Sequence, residues 1–203
     1  MKHYPEIQST VIPDLEVYVF EKLDGSNIRA EWSPKRGFYK FGTRKRLFGE
    51  DDPMFGEAIS LIKEKEKHLV GVFKQLGFES AVAYFEFLGE GSFAGFHLKE
   101  PHRVVLIDVE GFKQGFVAPS QFVGLFSDLT DTAKLIHYGK ITPVIEEQIR
   151  AGRFPGASFE GVVCKASPEK KWSLPVTFKV KNQAWIEAVK AKHGSRADLR
   201  DIL

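Results

Sequence analysis

The stretch EKLDGSNIRA, residues 21–30, carries a lysine and an Asp-Gly turn directly after an apolar run. That run is VYVF, residues 17–20, and its β-branched and aromatic residues are typical of a strand. The pattern predicts a strand that delivers Lys22 to a tight turn, where an ammonium group is costly to bury. Alone it is weak evidence, because a Lys-x-Asp-Gly sequence arises by chance about one time in twenty in a chain of this length.

The composition of the chain excludes several classes of protein. With 203 residues, of which 43% are hydrophobic, the chain can bury a sizeable core, and we expect a single domain over residues 1–203. The 29 basic and 27 acidic residues give a net charge of +2, so nucleic-acid binding would depend on local patches. The single cysteine and the lack of a long apolar run predict a soluble, cytoplasmic protein that does not enter a membrane.

The order of the expected elements indicates an α+β fold. Strands are predicted at 15–23 and 28–32, followed by a hairpin turn at 33–37 and a further extended stretch, so the opening reads as a β-meander. Residues 56–76 have helical periodicity with a charged outer face. The remaining predictions are strands at 81–89, 103–111, 159–165 and 176–181, a turn at 167–172, helices that begin at Pro119 and at Pro143 after a Thr142 cap, and a last helix at 182–194. Because helices and strands do not alternate regularly, a doubly wound sheet is excluded.

Charged residues in otherwise apolar strands are the candidates for chemistry. Glu86 lies in the middle of AVAYFEFLG, and a carboxylate there is costly unless it is paired or binds a cation. Glu160 opens the strand FEGVVCK and Lys165 closes it. Lys179 and Lys181 are two residues apart, so both ammonium groups point to one face of a strand. Several lysines with two carboxylates suit a polyphosphate and a divalent metal.

Six elements in order resemble the covalent nucleotidyltransferase superfamily of ATP-dependent ligases and mRNA capping enzymes. They are KLDGSN at 22–27, TRKR at 43–46, YFEFLG at 84–89, VLIDV at 105–109, EGVVCK at 160–165 and FKVK at 178–181. Within the superfamily the chain most resembles the RNA ligases, which often carry Asn where this chain has Asn27. The leading YPEIQ and Glu21 are also similar to RNA ligases. The resemblance covers residues 4 to about 182.

The resemblance implies two antiparallel-rich sheets that flank a nucleotide cleft, with helices outside, in one nucleotidyltransferase domain. No C-terminal OB or helical domain is evident after FKVK. The implied activity is ATP-dependent RNA repair: AMP is transferred to a lysine, then to a 5′-phosphate end of RNA, and a 3′-hydroxyl end displaces it. The implied cofactors are ATP and Mg²⁺, with Mn²⁺ as the alternative metal.

The resemblance also implies a role for each candidate residue. Lys22 is the nucleophile, and Lys165, Lys179 and Lys181 surround it with positive charge that disfavours its ammonium form and neutralises the α-phosphate. Glu160 holds the metal, and Glu86 contacts the ribose or holds the metal.

The remaining residues are assigned to the nucleotide and the RNA end. Arg44 contacts the ribose or the 5′-phosphate, with Arg46 as its rival, and Asn27 positions the activated end. Glu21 either reads the adenine or forms a salt bridge.

Two other interpretations remain open. The first is a minimal DNA ligase, a capping-type enzyme or another polynucleotide adenylyltransferase. The second is a non-catalytic module that binds nucleotides or RNA, which would have no need of a nucleophile. Labelling the protein with α-labelled ATP would separate these from an RNA ligase.

Overall fold

The computed structural model describes residues 2–91, 96, 97, 99–167 and 175–194. In chain order its elements are β1 (Glu16–Glu21), β2 (Ser26–Ser33), β3 (Gly37–Thr43), β4 (Leu47–Phe48), α1 (Gly56–Gln75), β5 (Ala81–Leu88), β6 (Arg103–Gly111), β7 (Gly115–Phe116), α2 (Pro119–Phe126), β8 (Leu135–Lys140), α3 (Pro143–Arg150), β9 (Gly161–Lys165), β10 (Thr177–Lys181) and α4 (Gln183–His193). The predicted α+β fold is confirmed, with two antiparallel sheets and four helices among the described residues. The predicted turn at 167–172 lies, apart from Ser167, outside the described residues.

The chain divides into two compact units, each assembled from separate segments. The first unit takes its described residues from Met1–Glu6, Asp24–Lys134 and Ser167–Val176. The second takes them from Ile7–Leu23, Leu135–Ala166 and Thr177–Leu203. The chain therefore passes from the second unit to the first between Leu23 and Asp24, directly after the lysine of the Lys-x-Asp-Gly turn.

The first unit is built on a six-stranded antiparallel sheet in the order β4-β3-β2-β5-β6-β7. Helix α1 begins where the Asp52 side chain accepts hydrogen bonds from the backbone N–H groups of Met54 and Phe55. Its apolar stripe is buried, whereas the KEKEK segment on the other face remains mostly exposed. The buried residues of that stripe include Ala58, Ile59, Ile62, Leu69, Val72 and Phe73.

One face of this sheet carries a buried polar network. The Tyr4 hydroxyl donates to Asp108 at 2.8 Å, and the Tyr84 hydroxyl donates to Glu110 at 3.2 Å. The Arg29 guanidinium donates to the backbone carbonyl of Lys2 at 3.1 Å. Burial raises the pKa of Tyr84, and the carboxylate of Glu110 raises it further, so both tyrosines stay protonated donors. The N-terminal residues are thereby attached to β2, β5 and β6.

The second unit is built on a four-stranded antiparallel sheet in the order β10-β9-β1-β8. One face of this sheet packs with α3 and neighbouring loops into an apolar core. The buried members of this core are Val17, Val19, Ile141, Ile149, Val162, Cys164, Ala166, Phe178 and Val180. By alternation, the other face carries Tyr18, Phe20, Lys165, Lys179 and Lys181.

The prediction that the chain opens with a β-meander is wrong for its first strand. Strand β1 pairs with β8 and β9, which lie more than 110 residues later, and β2 begins the other sheet. Only β2, β3 and β4 form a meander. The Asp-Gly turn after Lys22 does not reverse the chain into a hairpin but carries it from one sheet to the other.

Candidate functional site

The backbone of Lys22 is held on both sides. Its N–H donates to the carbonyl of Gly161 at 3.0 Å, which continues the β1–β9 ladder past the end of β1. Its carbonyl accepts a hydrogen bond from the Ser158 hydroxyl. The predicted nucleophile is thus fixed by its own peptide groups, independently of its side chain. Ser158 was not singled out from the sequence, because a serine two residues before Glu160 has no signal of its own.

The side chain of Lys22 shares a carboxylate oxygen with a second lysine. The Nζ atoms of Lys22 and Lys181 both lie 2.8 Å from Oε1 of Glu160. The side chains of Glu160 and Lys181 are each only 5% exposed, and that of Lys22 is 19% exposed. The structure therefore brings together three of the predicted site residues in one partly buried charge cluster with more positive than negative charge.

Lys181 is poised between its charged and neutral forms. Burial lowers its pKa to about 8; Glu160 opposes this shift, and the ammonium of Lys22 adds to it. The ring of Trp185, which is fully buried at the start of α4, lies 4.0 Å from the Lys181 Nζ. An aromatic face attracts a cation, so Trp185 also stabilises the ammonium form. Trp185 was missed in the sequence, where it reads as an ordinary core residue of the last helix.

Close approach of β9 and β10 makes this cluster possible. Gly161 has a φ of +128°, and a Cβ at this position would lie 2.2 Å from the carbonyl oxygen of Val180. Only glycine tolerates this geometry. The backbone N–H of Asn182 donates to the carbonyl of Glu160 at 3.0 Å, which closes the strand pair on the far side. The Glu-Gly pair in FEGVVCK thus serves both the charge and the backbone contact.

The other two predicted lysines lie on the same face of this sheet. Lys165 is directly opposite Thr177 in the β9–β10 ladder, and Lys179 follows two residues later on that strand. Lys165 is buried, and its Nζ lies 5.1 Å from the ring centre of Phe20. The prediction that Lys179 and Lys181 share a face agrees with this ladder.

Asn27, Glu86 and Arg44 belong to the first unit. Asn27 and Glu86 are direct partners in the β2–β5 ladder, so their side chains lie on one face. Oε1 of Glu86 accepts a hydrogen bond of 3.1 Å from the backbone N–H of Gly25. A Cβ at Gly25 would lie 2.4 Å from the carbonyl oxygen of Phe87, so glycine is required for the turn to lie against β5.

The two arginines that compete for one role have different surroundings. Arg46 forms an ion pair with Asp52, and its guanidinium lies 5.7 Å from the ring centre of Phe55. This pair lowers the pKa of Asp52 to about 2. Arg44 is exposed and has no hydrogen-bond or ion-pair partner in the part of the chain that the structure describes. Arg44 is therefore the arginine available to a ligand, whereas Arg46 anchors the loop before α1.

Two further sequence candidates lie on the apolar-core side of β1 and β9. Glu21 pairs with Val162 and alternates with Val17 and Val19, so its side chain begins on the core face and is half-buried at the strand end. Its two predicted roles, reading adenine or forming a salt bridge, both stay predictions. Cys164 is fully buried in the core, and burial raises the pKa of its thiol to about 12, which agrees with a packing role.

The residues present fit a metal that is held jointly with phosphate oxygens. Among residues 2–91, 96, 97, 99–167 and 175–194 no group of three or more His, Cys, Asp or Glu side chains could form an all-protein metal cage. Magnesium bound to nucleotides takes only one or two carboxylates, with phosphate and water oxygens completing its shell. Glu160 supplies one buried carboxylate beside lysines that suit phosphates, so its chemistry matches this type of binding.

No helix in the described part of the chain is long and apolar enough to span a membrane.

Neither a protein-family model nor a curated protein matches the sequence. Solved structures do match the fold: three are of an RNA ligase from Naegleria gruberi. The form with ATP and Mn has a TM-score of 0.68 at 13% identity, and the form with pyrophosphate has 0.67 at 16%. The form with AMP and Mn has a TM-score of 0.67 at 15% identity.

Each of these three matches covers 97% of this chain and 59% of the ligase chain. The chain thus spans less than two thirds of the length of the proteins it resembles. At this level of identity the likeness establishes the fold and not the activity. With its two antiparallel sheets and outer helices, the chain has the nucleotidyltransferase fold of these RNA ligases.

Proposed function

We propose that the chain is an ATP-dependent RNA ligase that works through a covalent lysyl-AMP on Lys22. The observation that carries the proposal is the single oxygen of Glu160 shared by Lys22 and Lys181 at 2.8 Å each. A structural ion pair needs one lysine, whereas a site for a polyphosphate needs excess positive charge. The fold shared with an RNA ligase supports the same reaction class.

In the first step the neutral amine of Lys22 attacks the α-phosphorus of ATP. An N–P bond forms, the bond from the α-phosphorus to the bridging oxygen of the β-phosphate breaks, and pyrophosphate leaves with that oxygen. The amine gives up its remaining extra proton to solvent. The ion pair with Glu160 stabilises the ammonium form of Lys22, so this pair has to separate before attack.

Lys181 makes that separation easier. Its ammonium competes with Lys22 for the same oxygen of Glu160, so the carboxylate keeps a partner when the amine of Lys22 turns to the phosphate. A second cation nearby also disfavours the ammonium form of Lys22. Lys165 and Lys179, on the same face of the sheet, supply further positive charge for the α-phosphate oxygens.

Glu160 is the residue that would hold a divalent metal, Mg²⁺ or Mn²⁺. Bound there, the metal would neutralise negative charge on the phosphates. Glu86 is the second candidate, and its carboxylate is oriented by the N–H of Gly25.

Sealing follows in two further transfers. A 5′-phosphate oxygen of RNA attacks the phosphorus of lysyl-AMP, which forms a phosphoanhydride and releases the amine of Lys22. A 3′-hydroxyl then attacks the RNA phosphorus, and AMP leaves. In this proposal Arg44 contacts the ribose or the 5′-phosphate, and Asn27 positions the 3′ end.

The first experiment tests the covalent intermediate. The protein is incubated with ATP or GTP and Mg²⁺, and its intact mass is measured. We expect a gain of one AMP from ATP, little gain from GTP, and no gain with Lys22→Ala. Lys63→Ala, at an exposed lysine of α1 paired with Glu50, is the matched control and should be labelled normally. Label that persists in Lys22→Ala would exclude the assigned nucleophile, and no label on the wild type would favour a non-catalytic binding module.

The second experiment tests the metal-binding carboxylate. Glu160→Ala should slow adenylylation at least about tenfold, which is about 1.4 kcal/mol of barrier. Removal of divalent metal with EDTA should stop labelling of the wild type. Undiminished labelling in EDTA would contradict the metal requirement.

The third experiment tests the substrate. Pre-adenylylated RNA is offered to strands that differ only in a terminal 3′ ribose or deoxyribose. We expect the ribose end to be sealed and the deoxyribose end to react poorly, because Asn27 can both donate to and accept from a 2′-hydroxyl. Equal sealing of both ends would leave a general polynucleotide ligase, and Asn27→Ala should erase any preference that is found.

A further inference from the structure

Two tyrosines form an accessible aromatic surface on the second unit. Tyr18 of β1 and Tyr138 of β8 are direct partners in the antiparallel ladder. Their ring centres are 4.6 Å apart and their planes are inclined by 45°. Tyr138 is 53% exposed and Tyr18 is half-buried. Because β8 is an edge strand of this four-stranded sheet, no further strand covers the outer side of Tyr138 among the described residues.

This tyrosine pair lies on the face of the sheet that carries the lysines. Tyr18 is opposite Lys165 in the β1–β9 ladder, so the row across the sheet continues from the two rings to a lysine. Along β1 the same face continues through Phe20 to Lys22. Four residues of strand separate Tyr18 from Lys22, which is ~13 Å. The pair is therefore one short step from the predicted nucleophile and on its side of the sheet.

The charges beside the pair do not obstruct a nucleic-acid strand. The Tyr138 hydroxyl donates to Glu16 at 3.3 Å, which engages the rim of the ring and leaves its face open. The exposed carboxylate of Asp14 is paired with Lys140 at 3.2 Å. Negative charge near Tyr138 is thus engaged locally, and the excess positive charge of this face lies towards Lys165 and beyond.

We infer that Tyr138 and Tyr18 form a stacking surface for unpaired bases of the RNA strand that enters the reaction, with its phosphates directed towards the lysine-bearing rows. Exposed aromatic faces beside positive charge are the recurring means of holding single-stranded nucleic acid without reading its sequence. This inference rests on the proposed function, since it names how the substrate of that reaction is held. A second protein chain, for which the free β8 edge would offer pairing, would make no use of the lysines.

The test measures binding of the whole chain to fluorescent single-stranded oligoadenylate at low salt. Tyr138→Ala and Tyr18→Ala should each weaken binding about fivefold or more, which corresponds to ~1 kcal/mol. Tyr138→Phe keeps the ring and should bind as the wild type does. Phe112→Ala removes a comparably exposed ring on the other sheet and is the matched control.

A strand of the same length and charge that lacks bases separates stacking from phosphate contact. The wild type should prefer oligoadenylate over this abasic strand, and Tyr138→Ala should lose that preference. Adenylylation of Lys22 in Tyr138→Ala should stay at the wild-type rate, which reports an intact site and keeps the two proposals distinct. If no variant or wild type is adenylylated, the proposed function fails, while tyrosine-dependent binding of bases would still support the stacking surface.

Unchanged affinity of Tyr138→Ala and Tyr18→Ala for oligoadenylate would overturn the inference. So would a change in sedimentation from dimer to monomer in Tyr138→Ala with RNA binding intact, because the surface would then be a contact between protein chains.

Discussion

Replacing Glu160 by Gln should lower the free energy of unfolding of the ligand-free protein by about 3–5 kcal/mol. The substitution keeps the shape of the side chain and removes the charge that Lys22 and Lys181 share. At 2.8 Å and an effective dielectric constant of about 20, each ion contact has a gross attraction of about 6 kcal/mol, much of it offset by desolvation. The net cost is in the range for breaking a buried pair, because Glu160 and Lys181 are only 5% exposed.

The cost should depend on pH in a defined direction. The pKa of Lys181 is lowered to about 8, below its unfolded value, so its contribution to stability rises with pH between those two values. In Glu160→Gln the carboxylate that opposes this shift is gone, and the pKa of Lys181 falls further. The rise then begins at lower pH in the variant, so the difference between wild type and variant should be larger at about pH 6 than at about pH 9.

Urea unfolding at both pH values measures this difference. Glu147→Gln is the matched control, since it breaks an ion pair with Arg153 whose partners are both more than 60% exposed. That control should cost about 0–1 kcal/mol at either pH. A cost for Glu160→Gln no larger than the control would refute the claim that the shared carboxylate is a buried, energetically significant centre. A cost that grows with pH would refute the assignment of the effect to Lys181.

Two further predictions concern charged groups of the first unit. Arg46→Ala should raise the pKa of Asp52 from about 2 towards its usual range, as a carboxyl NMR titration would detect, whereas Arg44→Ala should leave it unchanged but slow adenylylation or sealing; the reverse pattern would exchange their roles. The Glu57 carboxylate at 2.6 Å raises the pKa of His102, so this pair stabilises the fold fully below about pH 6.5 and loses its effect as pH rises through the raised value; urea unfolding of His102→Asn should show a flatter pH dependence, and an unchanged profile would contradict it.

The elements that the sequence predicted well are those decided by local patterns. Helix α1 was expected at 56–76 and lies at Gly56–Gln75, because its apolar stripe and charged face repeat with the helical period. Helix α3 begins at Pro143, and the Thr142 hydroxyl accepts from the N–H of Ile145 as a cap. Strand β6 lies at Arg103–Gly111, where it was predicted.

What failed was strand pairing, which depends on residues far apart in the chain. Strand β1 was joined to β2 because they are neighbours in sequence and a turn lies between them. Its actual partners include β8, which had not been predicted at all, because LIHYGK has no clear alternation and is mostly exposed at the edge of a sheet. Periodicity shows which face of a strand is apolar, but it does not show which strand lies beside it.

For the candidate site, residue types in sequence order were sufficient to find the charges but not their grouping. That Glu160 holds Lys22 and Lys181 on one oxygen follows from the close approach at Gly161 and from Trp185, neither of which has a sequence signal. The choice between Arg44 and Arg46 also required the structure, since it depends on which guanidinium Asp52 occupies.

The distance along the chain between β1 and its partners has a consequence for synthesis on the ribosome. About 115 residues separate Phe20 from Leu135, and at roughly 5–20 residues per second their translation takes about 6–23 seconds. During this interval the segment 24–134 can assemble most of the first unit, while the apolar strand that precedes it waits with both hydrogen-bonding edges open. Nascent β1 is thus the segment that we expect chaperones to bind, and slowing translation after residue 23 should increase aggregation of newly made chains.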